Sequence, residues 1–283
     1  MTSLNRGTSM PCDFAVASGR GSPSYSLHLT FASRLRRLSP AGELNRQASQ
    51  ATMPRSVALF ALALLLLAPV AFWPMYVSKD WSAVDRYTHA HAVLGTLWLL
   101  VLIAQPLLIS RGFRAAHRIS GRAAMFIAVG FVVSGFLLTH FRVSRMPADV
   151  FAKEGIYIFL PLAMALLFAV ACALGFRWRQ STPVHARFML TTALMLVDPL
   201  LARLMFFYLP PLPSDNLYQG ISFTLIAIVM ALLVRSLPAQ VNGRSAYRNY
   251  CLGTVTTFVL FFAVPHTAAW LAFVHWFRAL PLT

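Results

Sequence analysis

Seven long apolar runs determine what this chain can fold into. They cover, roughly, Val57–Val77, Ala90–Ser110, Gly121–His140, Gly155–Phe176, Ala186–Leu209, Leu217–Leu237 and Leu252–Trp276. A helix of about 20 residues is about 30 Å long, which matches the hydrocarbon layer of a membrane. Isolated strands would leave backbone groups unpaired in lipid, so we expect helices. The sequence therefore predicts an all-α polytopic bundle of about seven transmembrane helices over residues 53–283.

A shortage of charge supports this membrane location. The chain is 58% apolar and only 11% charged, whereas about a quarter of the residues in a soluble domain are charged. The net charge of +16 could suit nucleic acid, but the basic residues are scattered between the apolar runs. We therefore expect the lipid bilayer as the partner and no nucleic acid. The sequence identifies no protein partner.

Basic residues in the connections predict the orientation. With residues 1–56 set aside, the connections at 111–122, 177–187 and 235–250 carry ten Arg and Lys residues, and the connections on the opposite side carry six. Cytoplasmic loops are enriched in Arg and Lys. The first group is therefore expected in the cytoplasm, which predicts a protein of the cell inner membrane with a cytoplasmic N-terminus.

Residues 1–52 differ from the rest of the chain because they are rich in Ser, Arg and Gly. Such a segment buries too little apolar surface to offset the entropy lost on ordering, so we predict that it is disordered. Three interpretations stay open. The segment is a cytoplasmic tail, a targeting peptide, or a stretch that is not translated because translation begins at Met53.

Histidines near the ends of the apolar runs are the first candidates for chemistry, because imidazole binds haem iron and other metals. The cofactor-binding candidates are His91 and His140 near the outer face and His117 and His185 near the inner face. Two clusters in opposite leaflets would suit an electron carrier that holds haem b. His91, Gly95 and Trp98 share one helix face, where Gly would let a flat macrocycle approach. The simpler alternative for each His is an interfacial side chain that bonds loop backbone or lipid headgroups.

The fifth run carries the second candidate site. Asp198 lies near its middle and Arg203 follows five residues later. Ionised groups at this depth are costly and usually face a bundle interior. Pro199 removes one helix hydrogen bond, so we expect a kink beside Asp198. His266, after Pro265, is expected at a similar depth. The pattern indicates either a proton-handling site or a pairing that locks helix packing.

Part of the chain resembles a known group of proteins. Residues 89–124 contain a helix that opens with His, followed by His-Arg-x-x-Gly-Arg at residues 117–122, and residues 183–189 supply a second His-x-Arg element. The segment resembles uncharacterised bacterial multi-pass inner-membrane proteins with this loop, which implies a location but no activity. A distant similarity to b-type cytochromes rests on helix-end histidines alone. Those cytochromes commonly carry two ligands on one face of a span, and no run here has that arrangement.

Three functions therefore stay open. The chain is a haem-handling or redox protein that uses the four histidines, a proton-coupled small-molecule transporter that uses Asp198 and Arg203, or a non-catalytic assembly factor. The sequence contains no phosphate loop, nucleophile elbow or paired-carboxylate motif, so it assigns no reaction.

Overall fold

A computed structural model of the chain describes residues 40–283, with the backbone alone for residues 40–55 and for residue 215. The chain divides into two units, residues 1–49 and 50–283, and the fold below is that of the second unit. We predict disorder for residues 1–52. Residues 1–39 lie outside the described part, and residues 40–52 lie at the start of the first helix. The disorder stays a prediction.

All regular structure in the described residues is helical. The α-helices are α1 (Pro40–Ala71), α2 (Arg86–Ser110), α3 (Arg114–Ser144), α4 (Ala148–Glu154), α5 (Phe159–Arg177), α6 (Thr182–Leu194), α7 (Val197–Tyr208), α8 (Asp215–Arg235), α9 (Arg244–Phe261) and α10 (Ala268–Ala279). A π-helical turn follows α1 at Trp73–Val77, and 3₁₀ turns lie at Trp81–Ala83, Gly155–Ile158 and Val264–His266. The prediction of an all-α bundle is confirmed.

Five segments of the described chain are long and apolar enough to cross a membrane. They are Arg86–Ser110, Arg114–Ser144, Ala148–Arg177, Thr182–Tyr208 and Asn216–Arg235. These segments correspond to the second through sixth predicted runs. The first run forms a shorter apolar helix over Ser56–Ala71 and then the π-helical turn.

The seventh run differs from the single straight helix that its composition predicts. Helix α9 ends at Phe261, and α10 begins at Ala268 after a bend of 83°. Pro265 lies at this break, and proline supplies no backbone N–H and clashes with the preceding turn. Thr267 then caps α10, because its hydroxyl accepts a hydrogen bond from Trp270 N. Taken together, α9 and α10 are long and apolar enough to cross a membrane, but this bend divides them.

Glycines on α3 let it pack closely against α2. A Cβ atom added at Gly130 would lie 3.3 Å from Leu94 Cδ2, and one added at Gly135 would lie 3.3 Å from His91 Cε1. Small residues let helix backbones approach each other, which is the main source of helix association in an apolar solvent. The α2–α3 pair is the framework on which His91 is held.

The bundle has a buried interior and an apolar exterior. Its two largest core clusters join α5, α6, α8 and α9 on one side and α1, α2, α3 and α5 on the other. On the outside, Leu66 is 67% exposed, Phe126 is 80% exposed and Leu232 is 60% exposed. Large apolar side chains exposed along several helices form a surface that water solvates poorly.

Candidate functional site

The candidate residues lie towards the two ends of the bundle and in its middle. We call the end where α2 begins the Asp85 end, and the end where α3 begins the His117 end. His91 and His140 belong to the Asp85 end. His117 and His185 belong to the His117 end. Asp198 lies in the first turn of α7, in the interior between the two ends.

His91 is held between α2 and α3. Its Nδ1 atom is 3.0 Å from Ser134 Oγ, and its ring stacks on Phe131 with 4.5 Å between ring centroids and 13° between ring planes. The Ser134 hydroxyl donates to Phe131 O at 2.9 Å, so it accepts from His91 Nδ1–H. The histidine is thus positioned by one hydrogen bond and one ring contact.

The helix face predicted to receive a macrocycle is filled by protein side chains. A Cβ atom at Gly95 would lie 3.0 Å from Phe131 Cε2, so the flat ring beside this glycine is that of Phe131. Trp98 is 1% exposed, packs edge-on against Phe168 at 5.2 Å, and donates its Nε1–H to Thr192 Oγ1 at 3.1 Å. The small residue serves helix packing, and this face does not fit a haem.

His140 lies on a different face of α3, towards α10. It is 1% exposed, meets the edge of Phe277 at 5.3 Å, and its Nδ1 atom is 2.7 Å from Thr283 Oγ1. Its Nε2 atom is buried without a hydrogen-bond partner among the described residues. The two outer candidates therefore do not face a common space: His91 on α2 faces α3, and His140 on α3 faces α10 and the C-terminal segment.

At the His117 end, Gln105 ties α2 to the start of α3. The Gln105 amide is oriented so that its NH₂ group faces an acceptor and its oxygen faces donors. The NH₂ group donates to His117 Nδ1, and the oxygen accepts from Ser120 Oγ at 2.7 Å and from Gly121 N at 3.3 Å. The neutral His117 ring then carries its proton on Nε2. One glutamine therefore holds both His117 and Gly121 of the His-Arg-x-x-Gly-Arg element.

His185 has the hydrogen bond that is common behind metal-binding imidazoles. Its Nδ1–H donates to Gly175 O at 2.8 Å, which leaves Nε2 with a free lone pair, the arrangement that orients many ligand histidines. His117 lies close enough to His185 for the two rings to interact electrostatically. The two inner candidates therefore lie at the same end, but none of the hydrogen bonds or ring contacts found among the described residues joins them. The His185 ring has the tautomer that could bind haem iron.

Asp198 begins a new helix in the interior of the bundle. The sequence predicts a kink at this place, and the structure has an interruption: α6 ends at Leu194 and α7 begins at Val197. Asp198 is 3% exposed and lies in the first turn of α7, where the helix dipole favours a negative charge. Pro199 is tolerated in a first turn because its missing N–H would be unpaired there in any case.

Three buried oxygen atoms near this interruption lack hydrogen-bond partners. They are Asp198 Oδ1 on α7 and Ser222 Oγ and Gln219 Oε1 on α8. Ser222 is 0% exposed and is the polar side chain of α8 that interacts with the Asp198 carboxyl. Gln219 precedes Ser222 by three residues and so shares its helix face. Buried polar atoms are usually paired, so an unpaired group of this kind indicates a function or an unseen ligand.

Arg203 completes this polar centre. Its Nη1 donates to Pro199 O at 2.8 Å, its Cζ lies 4.6 Å from the centroid of the Phe72 ring, and its Nε is buried without a partner. The guanidinium also interacts electrostatically with Asp198. We call Asp198, Arg203, Ser222 and Gln219 the α7–α8 centre.

His266 is separate from this centre. It lies in the 3₁₀ turn between α9 and α10 and its side chain is exposed. None of the hydrogen bonds found among the described residues joins it to Asp198 or Arg203. The expected grouping of these three residues therefore reduces to Asp198 and Arg203, because the break at Pro265 directs this part of the chain outward.

Sequence reasoning missed a buried arginine. Arg187 is 6% exposed and ties α6 to the end of α8, donating to Leu233 O at 3.0 Å and Ser236 Oγ at 2.8 Å, and to Pro183 O at 2.9 Å. Its position near a run end made it resemble a topology determinant. Over the residues with described side chains, no three His, Cys, Asp or Glu groups are placed to hold a metal ion together.

Comparison with known proteins gives no relative for this chain. No family model, no curated protein and no solved structure matches it.

Proposed function

We propose that the chain is a multi-pass protein of the cell inner membrane with seven crossings. The crossings would be α1, α2, α3, α4–α5, α6–α7, α8 and α9. Helix α9 has 18 residues and so spans about 27 Å, which leaves α10 to lie along the membrane surface after the 83° bend. The apolar exterior and the charge bias of the connections support this arrangement, with the His117 end and the N-terminus in the cytoplasm.

Reporter fusions test this topology. A reporter active only in the cytoplasm should be active when fused after residue 113, between α2 and α3, and inactive when fused after residue 213, between α7 and α8. The reverse result would overturn the orientation. Recovery of the protein in a water-soluble fraction without detergent would overturn the membrane location.

Within this frame we propose that the protein is a proton-coupled small-molecule transporter and that Asp198 carries the proton. The observation that supports this most is the carboxyl of Asp198, which is 3% exposed beside a helix interruption and has the hydroxyl of Ser222 as its polar neighbour on α8. Intramembrane acids beside broken helices are the usual sites of coupling ions. The Ser222 hydroxyl can donate to the carboxylate or accept from the protonated carboxyl, so it can bond to Asp198 in either charge state.

The surroundings of Asp198 would keep its two charge states close in energy. Burial disfavours the carboxylate, because charge is poorly solvated in the interior. The Ser222 hydroxyl, the first turn of α7 and the guanidinium of Arg203 favour it. A proton from hydronium would convert the carboxylate to the acid and release water, and loss of the proton would reverse this step. Arg203 Nε supplies an unpaired donor in the same region for a solute.

Difference infrared spectroscopy tests the proton site without knowledge of the solute. A pH jump on reconstituted protein should give a carboxylic-acid C=O band that is absent in Asp198→Asn. Asp149→Asn, which changes an exposed acid on α4, should retain the band. A band that persists in Asp198→Asn would overturn the assignment to Asp198.

Transport is measured separately in liposomes that contain a pH-sensitive dye. Addition of solutes from a panel of small organic acids, amines and sugars should produce internal pH changes with the wild-type protein, and Asp198→Asn should reduce them to the level of empty liposomes. Equal responses of the two proteins would count against proton coupling through Asp198.

We propose haem b binding at the His117 end as a second candidate function, because His185 Nδ1 is already bonded to Gly175 O. His185 would be the residue that holds the haem, which would supply one-electron transfer when bound; His117 has no free lone pair for iron in the tautomer described above. The absorbance spectrum of detergent-purified protein, expressed with added haem, tests this. A Soret band that disappears in His185→Gln but not in His140→Gln is expected, and absence of the band would exclude the proposal.

The third candidate function is that of a non-catalytic assembly factor. In such a protein the histidines would only anchor loops. In that case simultaneous replacement of His91, His117, His140 and His185 by Gln would leave the phenotype of the cell unchanged. A changed phenotype in a variant that still reaches the membrane would argue against it.

A further inference from the structure

A groove between α4 and α10 lies at the Asp85 end, apart from the α7–α8 centre. Its volume is about 460 Å³, within the range of pockets that bind small ligands. Its apolar walls come from α4, from the 3₁₀ turn that follows α4 and from α10: Phe151, Ala152, Ile156, Leu271 and Val274. Such a lining accepts a hydrocarbon chain and offers no partner to a polar solute.

Basic side chains from α10 form one rim of this groove. Arg278 is fixed there, because its Nη2 donates to Met146 O at 2.7 Å and its Cζ lies 4.2 Å from the centroid of the Phe151 ring. His275 is exposed and meets the edge of the same ring at 5.0 Å. A guanidinium has five N–H donors, so Arg278 keeps donors for an anion.

The charges on α4 do not cancel this rim. Asp149, Lys153 and Glu154 are exposed on α4 and are not among the residues that line the groove. Arg278 is therefore the one fixed charge of the lining. An occupant with an apolar tail and a negative head would match both parts of the groove.

The position of the groove identifies the source of such an occupant. Helix α10 lies at 83° to α9 and carries Trp270, whose Nε1 donates to Ile156 O at 2.9 Å, and Trp276, which is 58% exposed. Tryptophan is enriched at the level of lipid headgroups. On the membrane location proposed above, on which this inference rests, the groove would open at that level.

We propose that the α4–α10 groove is a binding site for an anionic phospholipid, with one acyl chain against Phe151 and Val274 and the headgroup phosphate on Arg278 and His275. The bound lipid would join the short helix α4 to α10. The site is distinct from the four histidines and from Asp198.

Native mass spectrometry of the full-length protein, released from mixed micelles of phosphatidylglycerol and phosphatidylcholine, tests this proposal. The wild-type protein should retain phosphatidylglycerol in preference to phosphatidylcholine. Arg278→Ala should lower the ratio of retained phosphatidylglycerol to phosphatidylcholine about fivefold, the effect expected for one basic side chain at an anionic lipid surface. An unchanged ratio would overturn the proposal.

Two further variants separate the groove from general effects of charge and folding. Arg145→Ala removes an exposed arginine at the same end whose Cζ lies 4.0 Å from the Phe141 ring and which is outside the groove, so the ratio should stay at the wild-type value. Ala152→Trp should fill the groove and reduce retention of both lipids without changing the charge. An equal effect of Arg145→Ala and Arg278→Ala would overturn a specific site.

This measurement is independent of transport. A protein that remains in detergent but shows no lipid preference contradicts the groove proposal and leaves the α7–α8 centre unaffected. A protein that transports nothing but retains phosphatidylglycerol contradicts the transporter proposal alone.

Discussion

Trp98 Nε1 donates a hydrogen bond to Thr192 Oγ1 at 3.1 Å. This bond joins α2 to α6 in the core, where Trp98 is 1% exposed and Thr192 is 0% exposed. Thr192 lies on α6, shortly before the interruption that precedes Asp198. The hydrogen bond therefore ties the α2–α3 pair to α6, the helix that leads into α7 and Asp198.

The Trp98–Thr192 bond should be measurable by a double-mutant cycle. Trp98→Phe and Thr192→Val each change packing as well as the bond, but the cycle isolates the interaction between them. We expect a coupling free energy of about 0.6 kcal/mol, the mean for hydrogen bonds between membrane helices, from unfolding in mixed micelles. A coupling of zero would show that the bond adds no stability.

Arg187 should tolerate lysine poorly. Arginine reaches Leu233 O, Pro183 O and Ser236 Oγ at once, and lysine cannot reproduce this planar set of donors. Arg187→Lys should lower the free energy of unfolding by about 2 kcal/mol, because bonds from a charged donor are lost at a buried site. Arg179→Lys is the matched control. Arg179 is exposed with a single bond to Phe176 O, and we expect a change below about 0.5 kcal/mol.

The helices could be predicted from the sequence because length and hydrophobicity alone decide them. The run predicted at Ala90–Ser110 is observed as Arg86–Ser110, and Asp85 caps it five residues before the apolar stretch. The 83° bend within the last run could not be predicted, because an apolar run of one composition can be straight or folded back. Pro265 marked the place without determining the angle.

The contacts of the candidate residues were much less predictable. Which ring lies beside Gly95 depends on the rotation of α3 about its axis, and Phe131 took the place expected for a macrocycle. Asp198 was identified by its depth alone. Its neighbour Ser222 was missed, although a pair of polar residues, Gln219 and Ser222, three positions apart in an apolar run was a signal for it.

Two glycine-to-alanine substitutions, one just before helix α9 and one within it, should change the free energy of unfolding in opposite directions. Gly243 precedes the helix with φ of +88°, and a Cβ atom there would lie 2.7 Å from Trp178 Cε3. Gly243→Ala should lower the free energy of unfolding by about 1–2 kcal/mol from the left-handed backbone alone, with the steric overlap added to this. Gly253 lies within α9 with nothing within 4 Å of its added Cβ, so Gly253→Ala should raise stability by about 0.5–1 kcal/mol. If both substitutions raised the free energy of unfolding, or both lowered it, this account of the two glycines would be wrong.

The cap of α2 should make stability depend on pH in the acid range. The Asp85 carboxylate accepts from Thr88 N at 2.9 Å and from Thr88 Oγ1 at 2.7 Å. Burial raises the pKa of Asp85, but the hydrogen bonds from Thr88 outweigh it and hold the pKa below its usual value. A lowered pKa in the folded state means that the contribution is complete above the unfolded pKa of about 3.9. It is lost as the pH falls through the folded pKa.

Asp85→Ala should therefore lower the free energy of unfolding by about 1 kcal/mol at neutral pH, the usual cost of a lost helix cap. The difference from the wild-type protein should begin to shrink as the pH falls below about 4, where the Asp85 carboxylate of the unfolded chain protonates, and should be lost at the lower pH at which the folded carboxylate protonates. Asp85→Asn is the control, because asparagine caps a helix about as well as aspartate but does not titrate. A wild-type-sized pH dependence in Asp85→Asn would assign the acid sensitivity to another group, and a stability loss in Asp85→Ala that stays constant down to strongly acidic pH would show that the cap acts without its charge.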